Sequence, residues 1–218
     1  MHKRDHSHFY FVAEPRATTS TAATSLVRHA DKTKMFEFLR RSEEHFLSDL
    51  SEWEPRPRSA HYYLRRSRGS AFSTMQNGGW NPQQDQEGRW VDIEVGENAG
   101  IAATVGRGSD GKREMLEGIA VAYALRLLYW AREASEEIGY RGSWDFALGG
   151  TGLIGKNASG RESHGNAGPS RYHVDAYEEM TSAHYFEIVE TPGIVAGRLV
   201  GRLLRGLGVE ELYEEELS

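Results

Sequence analysis

Hydrophobic residues recur at helical spacing through one long stretch in the middle of the chain. Residues 118–128 are apolar almost all round, which predicts a helix that enters a core. Gly139 then ends the helix, since glycine readily adopts the left-handed closing conformation. The face of this helix is marked by seven residues at steps of three and four: Leu116, Ile119, Tyr123, Leu127, Trp130, Ala134 and Ile138.

Short apolar or alternating segments predict strands. In one of them Val91, Ile93 and Val95 point one way while Asp92 and Glu94 point the other. The connection 96–100 is short, so an antiparallel hairpin with the next strand is expected. The predicted strands are 9–12, 61–64, 71–75, 89–95, 100–105, 143–148 and 183–190.

Two further helices are predicted, at 31–50 and at the end of the chain. The last one begins with Thr191 as cap and Pro192 at its first position, and it ends at Gly208. Together the elements predict an α+β fold in a single domain. We expect a mostly antiparallel sheet, with the long central helix and the C-terminal helix packed on one face and helix 31–50 at its edge.

Composition narrows the class of protein. The chain has 218 residues, a formal net charge of −6 and no cysteine, which excludes disulfides and thiolate metal sites. No run of 18 apolar residues and no signal-peptide pattern occurs. We therefore expect a cytoplasmic protein without membrane contact, and no cofactor is predicted.

Two glycine-rich segments have the spacing of phosphate-binding loops. Gly106, Gly108 and Gly111 match a dinucleotide fingerprint between a strand and a helix, but the acid expected about 20 residues on is missing. A tight turn is the alternative for these glycines.

The second segment resembles a P-loop. Gly150, Gly155 and Lys156 have the required spacing, with Gly152 between them, but Asn157 replaces the magnesium-binding hydroxyl. Residues 158–169 are also unsuited to the helix that should follow. A long functional or irregular loop at 149–169 remains the alternative.

Arginines form two groups that nucleic acid or a protein partner could contact, because guanidinium groups neutralise phosphates and tyrosines stack on bases. Ordinary solvated faces are the alternative. The first group is Arg56, Arg58, Tyr62, Tyr63, Arg65, Arg66 and Arg68, and the second, on the last helix, is Arg198, Arg202 and Arg205.

The spacing of the other polar clusters does not define a metal-binding or catalytic geometry. Asp92 and Glu94 share a strand face, as alternation in a half-solvated strand also predicts. His164, His173 and Asp175 lie in or near the long loop without a motif. No metal site is predicted.

The last helix also favours a homodimer. Gly193, Gly197 and Gly201 form a smooth side where another backbone could approach. The acidic tail 210–216 has the opposite charge to the arginines, and across a two-fold axis the two would meet. A homodimer through this helix is therefore expected.

Several sequence segments resemble those of a known family. They are residues 9–12, 18–23 and Arg28, then 142–148 with Gly152 and Leu153, and finally 192–196 with 203–208. They resemble the region that follows the Schlafen or AlbA-type DNA-binding domain of bacterial, mainly actinobacterial, regulators. The resemblance implies that residues 1–30 form an N-terminal arm, the remnant of an AlbA-like domain, and residues 31–218 the α+β domain. It assigns no functional residue.

Two functions remain open at this point. The leading hypothesis is a non-catalytic regulatory or assembly module associated with a nucleic-acid-binding protein. The alternative is an enzyme or sensor that binds a phosphorylated small molecule through segments 106–111 and 150–156. Whether the chain is an enzyme is undecided, with the non-catalytic hypothesis favoured.

Overall fold

A computed structural model describes residues 7–16, 37–38, 41, 62–66, 69–73, 91–96, 98–106, 108–109, 114–115, 117–159 and 171–218. Its helices are α1 (Glu117–Ile138), α2 (Tyr185–Glu190) and α3 (Pro192–Leu207), followed by a 3-10 helix, Glu210–Tyr213. Its strands are β1 (His8–Pro15), β2 (Tyr62–Arg66), β3 (Gly69–Ser73), β4 (Val91–Gly96), β5 (Ile101–Val105), β6 (Glu114–Met115), β7 (Ser143–Thr151), β8 (Asn157–Ala158) and β9 (Ala176–His184).

Seven of these strands form one antiparallel sheet in the order β2-β3-β4-β5-β1-β7-β9. β6 and β8 pair separately and in parallel. The first strand in the chain therefore lies between β5 and β7, inside the sheet, and residues 8–15 of the predicted arm belong to the same sheet as the rest. The boundary at residue 30 stays a prediction.

α1 and α3 pack together on one face of this sheet. α1 contacts β1 and β5, and α3 contacts β7 and β9. The residues between the layers are buried and mostly large, including Phe9, Phe11, Trp144 and Phe146. Alternation in β1 and β7 sends these side chains to the helices. The predicted α+β fold is confirmed.

A hydrogen-bonded link fixes α1 to β7. Trp144 Nε1 donates to Ser135 Oγ at 2.8 Å, and Ser135 Oγ donates to Ala131 O at 2.7 Å. The large indole is thus buried with its polar group satisfied, as a well-ordered core requires.

One strand prediction is wrong. Of the predicted strand 183–190, residues 185–190 are helical instead, because β9 ends at His184 and α2 follows directly. The cause is a capping box: His184 Nδ1 accepts from Phe186 N, and His184 N donates to Glu187 Oε2 at 2.9 Å. The apolar residues that suggested a strand instead form the short helix α2.

Two other boundaries differ from the sequence predictions. The predicted loop 149–169 begins three residues too early, since β7 continues through Gly149 and Gly150 to Thr151, and β8 lies within the predicted loop. Thr191 does occupy the cap position of α3, but its hydroxyl donates to Glu187 O and makes no capping bond. Of helix 31–50, only Glu37, Phe38 and Arg41 are described, and all three are helical.

Candidate functional site

The two glycine-rich segments meet at Ser7, the residue before β1. Gly108 N donates to Ser7 O at 2.7 Å, and Ser7 N donates to Ser109 Oγ at 2.9 Å. The hydroxyl of Ser7 donates to Gly152 O at 2.7 Å. Ser7 and Ser109 are fully buried. The structure therefore brings both predicted motifs together, and it uses these polar groups to join the segments to each other.

Close packing on Phe9 accounts for two of the glycines. A methyl group at Gly108 would lie 2.8 Å from Phe9 Cε2, and one at Gly150 would lie 3.1 Å from Phe9 Cε1. A side chain at Gly108 would overlap the buried ring, and one at Gly150 would force the ring or Leu153 to shift by a few tenths of an ångström. These glycines allow the two segments to approach β1 closely, which is a structural requirement.

The segment after β7 does not have the architecture of a P-loop. Lys156 is followed by β8 where a P-loop requires a helix. Gly155 N donates to Tyr172 O at 2.8 Å and Lys156 N to Leu153 O at 3.1 Å, so these two donors are used within the protein. Gly152 and Gly155 have positive φ and form turns. Gly106 follows the last residue of β5, and Gly111 lies outside the described residues. Ligand binding by these glycines stays a prediction.

A buried carboxylate lies beside this junction, at the first turn of α1. Glu117 is fully buried, and its Oε2 accepts from Ser159 N at 2.9 Å and Ser159 Oγ at 3.1 Å. Its Oε1 accepts from Tyr213 OH at 3.4 Å. Burial, and then the charge of Glu117, raise the pKa of Tyr213, so this phenol stays protonated and can donate. Glu117 thus ties the C-terminal segment to α1, and periodicity did not single it out.

The arginines of α3 all have acidic partners within the chain. Because a carboxylate already neutralises each guanidinium, the α3 arginines are weaker binders of phosphate than free arginines would be. The ion pairs are Arg198 Nη2 to Glu187 Oε1 at 3.0 Å, Arg202 Nε to Glu179 Oε2 at 3.2 Å and Arg205 Nε to Glu210 Oε2 at 3.3 Å.

The two arginine groups do not form one surface. Tyr62, Tyr63, Arg65 and Arg66 lie in β2, at the opposite edge of the sheet from β9 and α3. With strands about 4.8 Å apart, the two edges are separated by roughly 29 Å. Three members of the first group lie outside the described residues: Arg56, Arg58 and Arg68.

The C-terminal tail occupies the glycine side of α3. A methyl group at Gly193 would lie 2.7 Å from the backbone oxygen of Glu216, and one at Gly197 would lie 3.7 Å from Leu217 Cβ. Gly201 lies near Glu210, the partner of Arg205. The contacts on which the homodimer prediction rested are therefore made inside one chain. The homodimer stays a prediction, without that support.

A surface that the sequence analysis did not single out lies on the other side of the sheet. Tyr10 is 42% exposed, Val12 is 37% exposed and Met180 is 66% exposed. Ala147 lies opposite both Val12 and Met180, and Gly149 lies opposite Tyr10. We call the surface of these five residues the open face, because no described helix packs on it. Ala147 and Gly149 leave a depression of about 540 Å³ beside Tyr10 and Val12, and Glu178 and Arg202 also line it.

Acidic residues lie on the same side of the sheet as this depression, and one of them, Glu178, lines it. They share the open side of their strands by alternation and cross-strand register. The acidic rim consists of Glu14, Asp92, Glu94, Asp145 and Glu178.

One acid of the rim is neutralised by a basic residue. Arg16 Nε donates to Asp145 Oδ1 at 2.8 Å and Arg16 Nη2 to Ser182 Oγ at 2.6 Å, while Ser182 Oγ donates to Asp145 Oδ1 at 2.5 Å. The hydrogen bond from Ser182 is the largest cause that lowers the pKa of Asp145; it outweighs partial desolvation, and Arg16 adds to it. Glu14 and Glu178 add two carboxylates to this side of the sheet, and the guanidinium of Arg202 at the depression is paired with Glu179.

Alternation in β1 would have located Tyr10 and Val12 on one side of a strand. It gave no indication that β7 lies beside them, because the pairing of β1 with β7 joins residues more than a hundred positions apart. The signal for the open face was therefore present in part, but its assembly depends on the tertiary fold.

The remaining predicted candidates are dispersed. Asp92 and Glu94 do point away from the buried side of β4, as predicted. His173 and Asp175 are exposed, and His164 lies outside the described residues. Among the described residues, no three metal-binding side chains come together, and no helix has both the length and the apolar character to span a bilayer.

Comparisons of the chain with protein-family models, curated proteins and solved structures found no match. The resemblance to the region beyond the AlbA-type domain therefore stays a prediction.

Proposed function

We propose that this chain is a non-catalytic assembly module that binds a basic, nucleic-acid-binding protein through the open face. The observation that carries the proposal is the apolar depression within an acidic rim. Tyr10, Val12 and Met180 are large, exposed and grouped, which is unusual for a surface without a binding role.

Charge decides between a protein and a nucleic acid as the direct partner. Phosphates would be repelled by the carboxylates of Glu14 and Glu178, whereas lysines and arginines would be attracted. Proteins that bind nucleic acid carry such basic surfaces. Apolar anchors then provide the binding energy in the centre, since rim charges mainly orient and steer a partner.

The paired α3 arginines support the same choice. A stripe of arginines already neutralised by Glu187, Glu179 and Glu210 is a poor competitor for phosphates. This chain is therefore proposed to act beside a nucleic-acid-binding protein, with little direct contact to DNA or RNA.

The test begins with a photo-crosslinking amino acid at Val12 in the full chain, expressed in its source organism. The protein captured there is identified, purified and titrated against the chain by calorimetry. We expect a nucleic-acid-binding protein, and Ala147→Arg should weaken its affinity about tenfold or more because it places a cation in the depression. Short duplex DNA titrated against the chain alone should give no heat.

The matched control is Ile194→Arg, which adds the same charge to an exposed apolar position on α3, away from the open face. This variant should bind like the unaltered chain. A captured protein that does not bind nucleic acid, equal losses for both variants, or salt-dependent DNA binding by the chain alone would each contradict the proposal.

A further inference from the structure

β9 is an edge strand with hydrogen-bonding groups that point away from the sheet. Among the described strands, it pairs only with β7, on one side. In an antiparallel strand the N–H and C=O of one residue point to the same side. Glu178 O and Ser182 O accept bonds from α3 side chains and so mark the outer side, which places the N–H and C=O of Met180 there as well. Exposed edges of this kind are templates for a further strand.

Two arginines of α3 lie across this edge. Arg202 Nη2 donates to Glu178 O at 2.8 Å, and Arg198 Nη1 donates to Ser182 O at 3.4 Å. Each guanidinium is held in place by a second contact, with Glu179 for Arg202 and with Glu187 for Arg198. The pair therefore occupies the outer carbonyls on either side of Met180.

The sequence of β9 is suited to pairing with its own copy. Met180 is the midpoint of the nine-residue strand, so an antiparallel pair centred there would be two-fold symmetric. Met180 would lie opposite its copy and Glu178 opposite Ser182. The exposed Met180 side chains would meet on the open face and extend its apolar centre. A second copy is thus the occupant that this edge fits by symmetry.

We infer that Arg198 and Arg202 keep the β9 edge closed to a second copy of the chain. Pairing around Met180 would displace both guanidinium groups from the carbonyls of Glu178 and Ser182. It would also bring Arg202 of one copy next to Arg198 of the other, because Glu178 and Ser182 lie opposite each other. Lost hydrogen bonds and like charges both oppose the pairing. Arg198 and Arg202 then protect the sheet edge from a further strand, independently of the function proposed for the open face.

The test replaces both arginines in the full chain, in the double variant Arg198→Ala with Arg202→Ala. We expect the mass from light scattering after size exclusion to be about twice that of the unaltered protein at micromolar concentration, the chain itself being 24.5 kDa. Arg205→Ala is the matched control, because Arg205 lies on the same helix and pairs with Glu210 but does not contact β9. This control should leave the mass unchanged.

A third change separates edge pairing from other association. Met180→Pro removes an N–H that points outward, so it leaves the bonds to β7 intact and should return the double variant to the original mass. A labelled peptide of residues 176–184 should bind the double variant and not the unaltered chain. If the double variant does not fold by circular dichroism, the two single variants are measured in the same way. An unchanged mass in a folded variant, or an increase that Met180→Pro does not reverse, overturns the inference.

Discussion

The two faces of the central sheet are built from the same strands but have different surroundings. β1 sends Phe9 and Phe11 to the helices, where both are fully buried, and it sends Tyr10 and Val12 to the open face, where both remain exposed. All four side chains are large and apolar or aromatic. Hydrophobicity alone therefore does not distinguish a core residue from a binding residue in this strand. The distinction depends on whether a helix covers that side.

The largest expected loss of stability comes from a substitution on the buried side of β1, compared with one on its exposed side. Phe11→Ala should lower the free energy of unfolding by about 3–5 kcal/mol, because it leaves a cavity beside Tyr123, whose ring centroid is 5.6 Å away. Tyr10→Ala on the open face should cost below about 1 kcal/mol. Urea denaturation monitored by circular dichroism measures both. Equal costs would mean that Tyr10 is also covered.

An intermediate change in stability is expected where the C-terminal tail packs on α3, on the side of that helix away from the sheet. Gly193→Ala should cost about 1–3 kcal/mol, since the new methyl group would overlap the backbone at Glu216. The matched control is Gly197→Ala, where contact with Leu217 is ordinary and the gain in helix propensity should stabilise by about 0.5–1 kcal/mol. Thermal unfolding compares the two. Stabilisation by both changes would mean that the tail does not pack on α3.

The smallest expected change in stability concerns Asp145, the hydrogen-bonded acid of the acidic rim. The folded-state pKa of Asp145 is lowered, so its stabilising contribution is complete above the unfolded value of about 3.9 and is lost as pH falls through the folded value. Asp145→Asn should therefore reduce stability at pH 7 and make no difference in strong acid. Because the side chain is 42% exposed, the loss should be a fraction of about 1 kcal/mol.

Denaturation curves at several pH values measure this difference, with Glu14→Gln as the control on the same face. Glu14 makes none of these hydrogen bonds with Ser182 or Arg16, so at pH 7 its replacement should cost less stability than Asp145→Asn. A difference for Asp145→Asn that grows toward low pH would contradict the assigned sign.

Local patterns were sufficient for most elements. The helix face from Ile119 to Ile138 and the alternation around Ile93 both appear in the structure, because burial on one side selects residues at the period of the element. The error at 183–190 arose where propensity and capping compete: the apolar residues favour a strand, but His184 and Glu187 begin a helix. A capping box with histidine at the cap is not a usual sequence signal.

The candidate surfaces were less predictable than the elements. Glycines at 108 and 150 have the spacing of ligand loops, yet each lies against Phe9, and nothing near them in sequence indicates that contact. The arginines at 198 and 202 likewise suggested a phosphate surface, but their partners are carbonyl and carboxylate groups of β9 and α2. Contacts of this kind join distant parts of the chain and cannot be obtained from spacing.

By itself, the sequence determined the periodicities, the helix that crosses the core, the ends at Gly139 and Gly208, and the α+β class. These depend on interactions within about one turn or one strand, where residue type acts directly on the backbone. Only the tertiary structure decided that β1 lies between β5 and β7, that the tail covers the glycines of α3, and that Tyr10 and Glu178 border one depression. Those arrangements arise from burial and strand pairing between residues far apart in the chain, which no local pattern encodes.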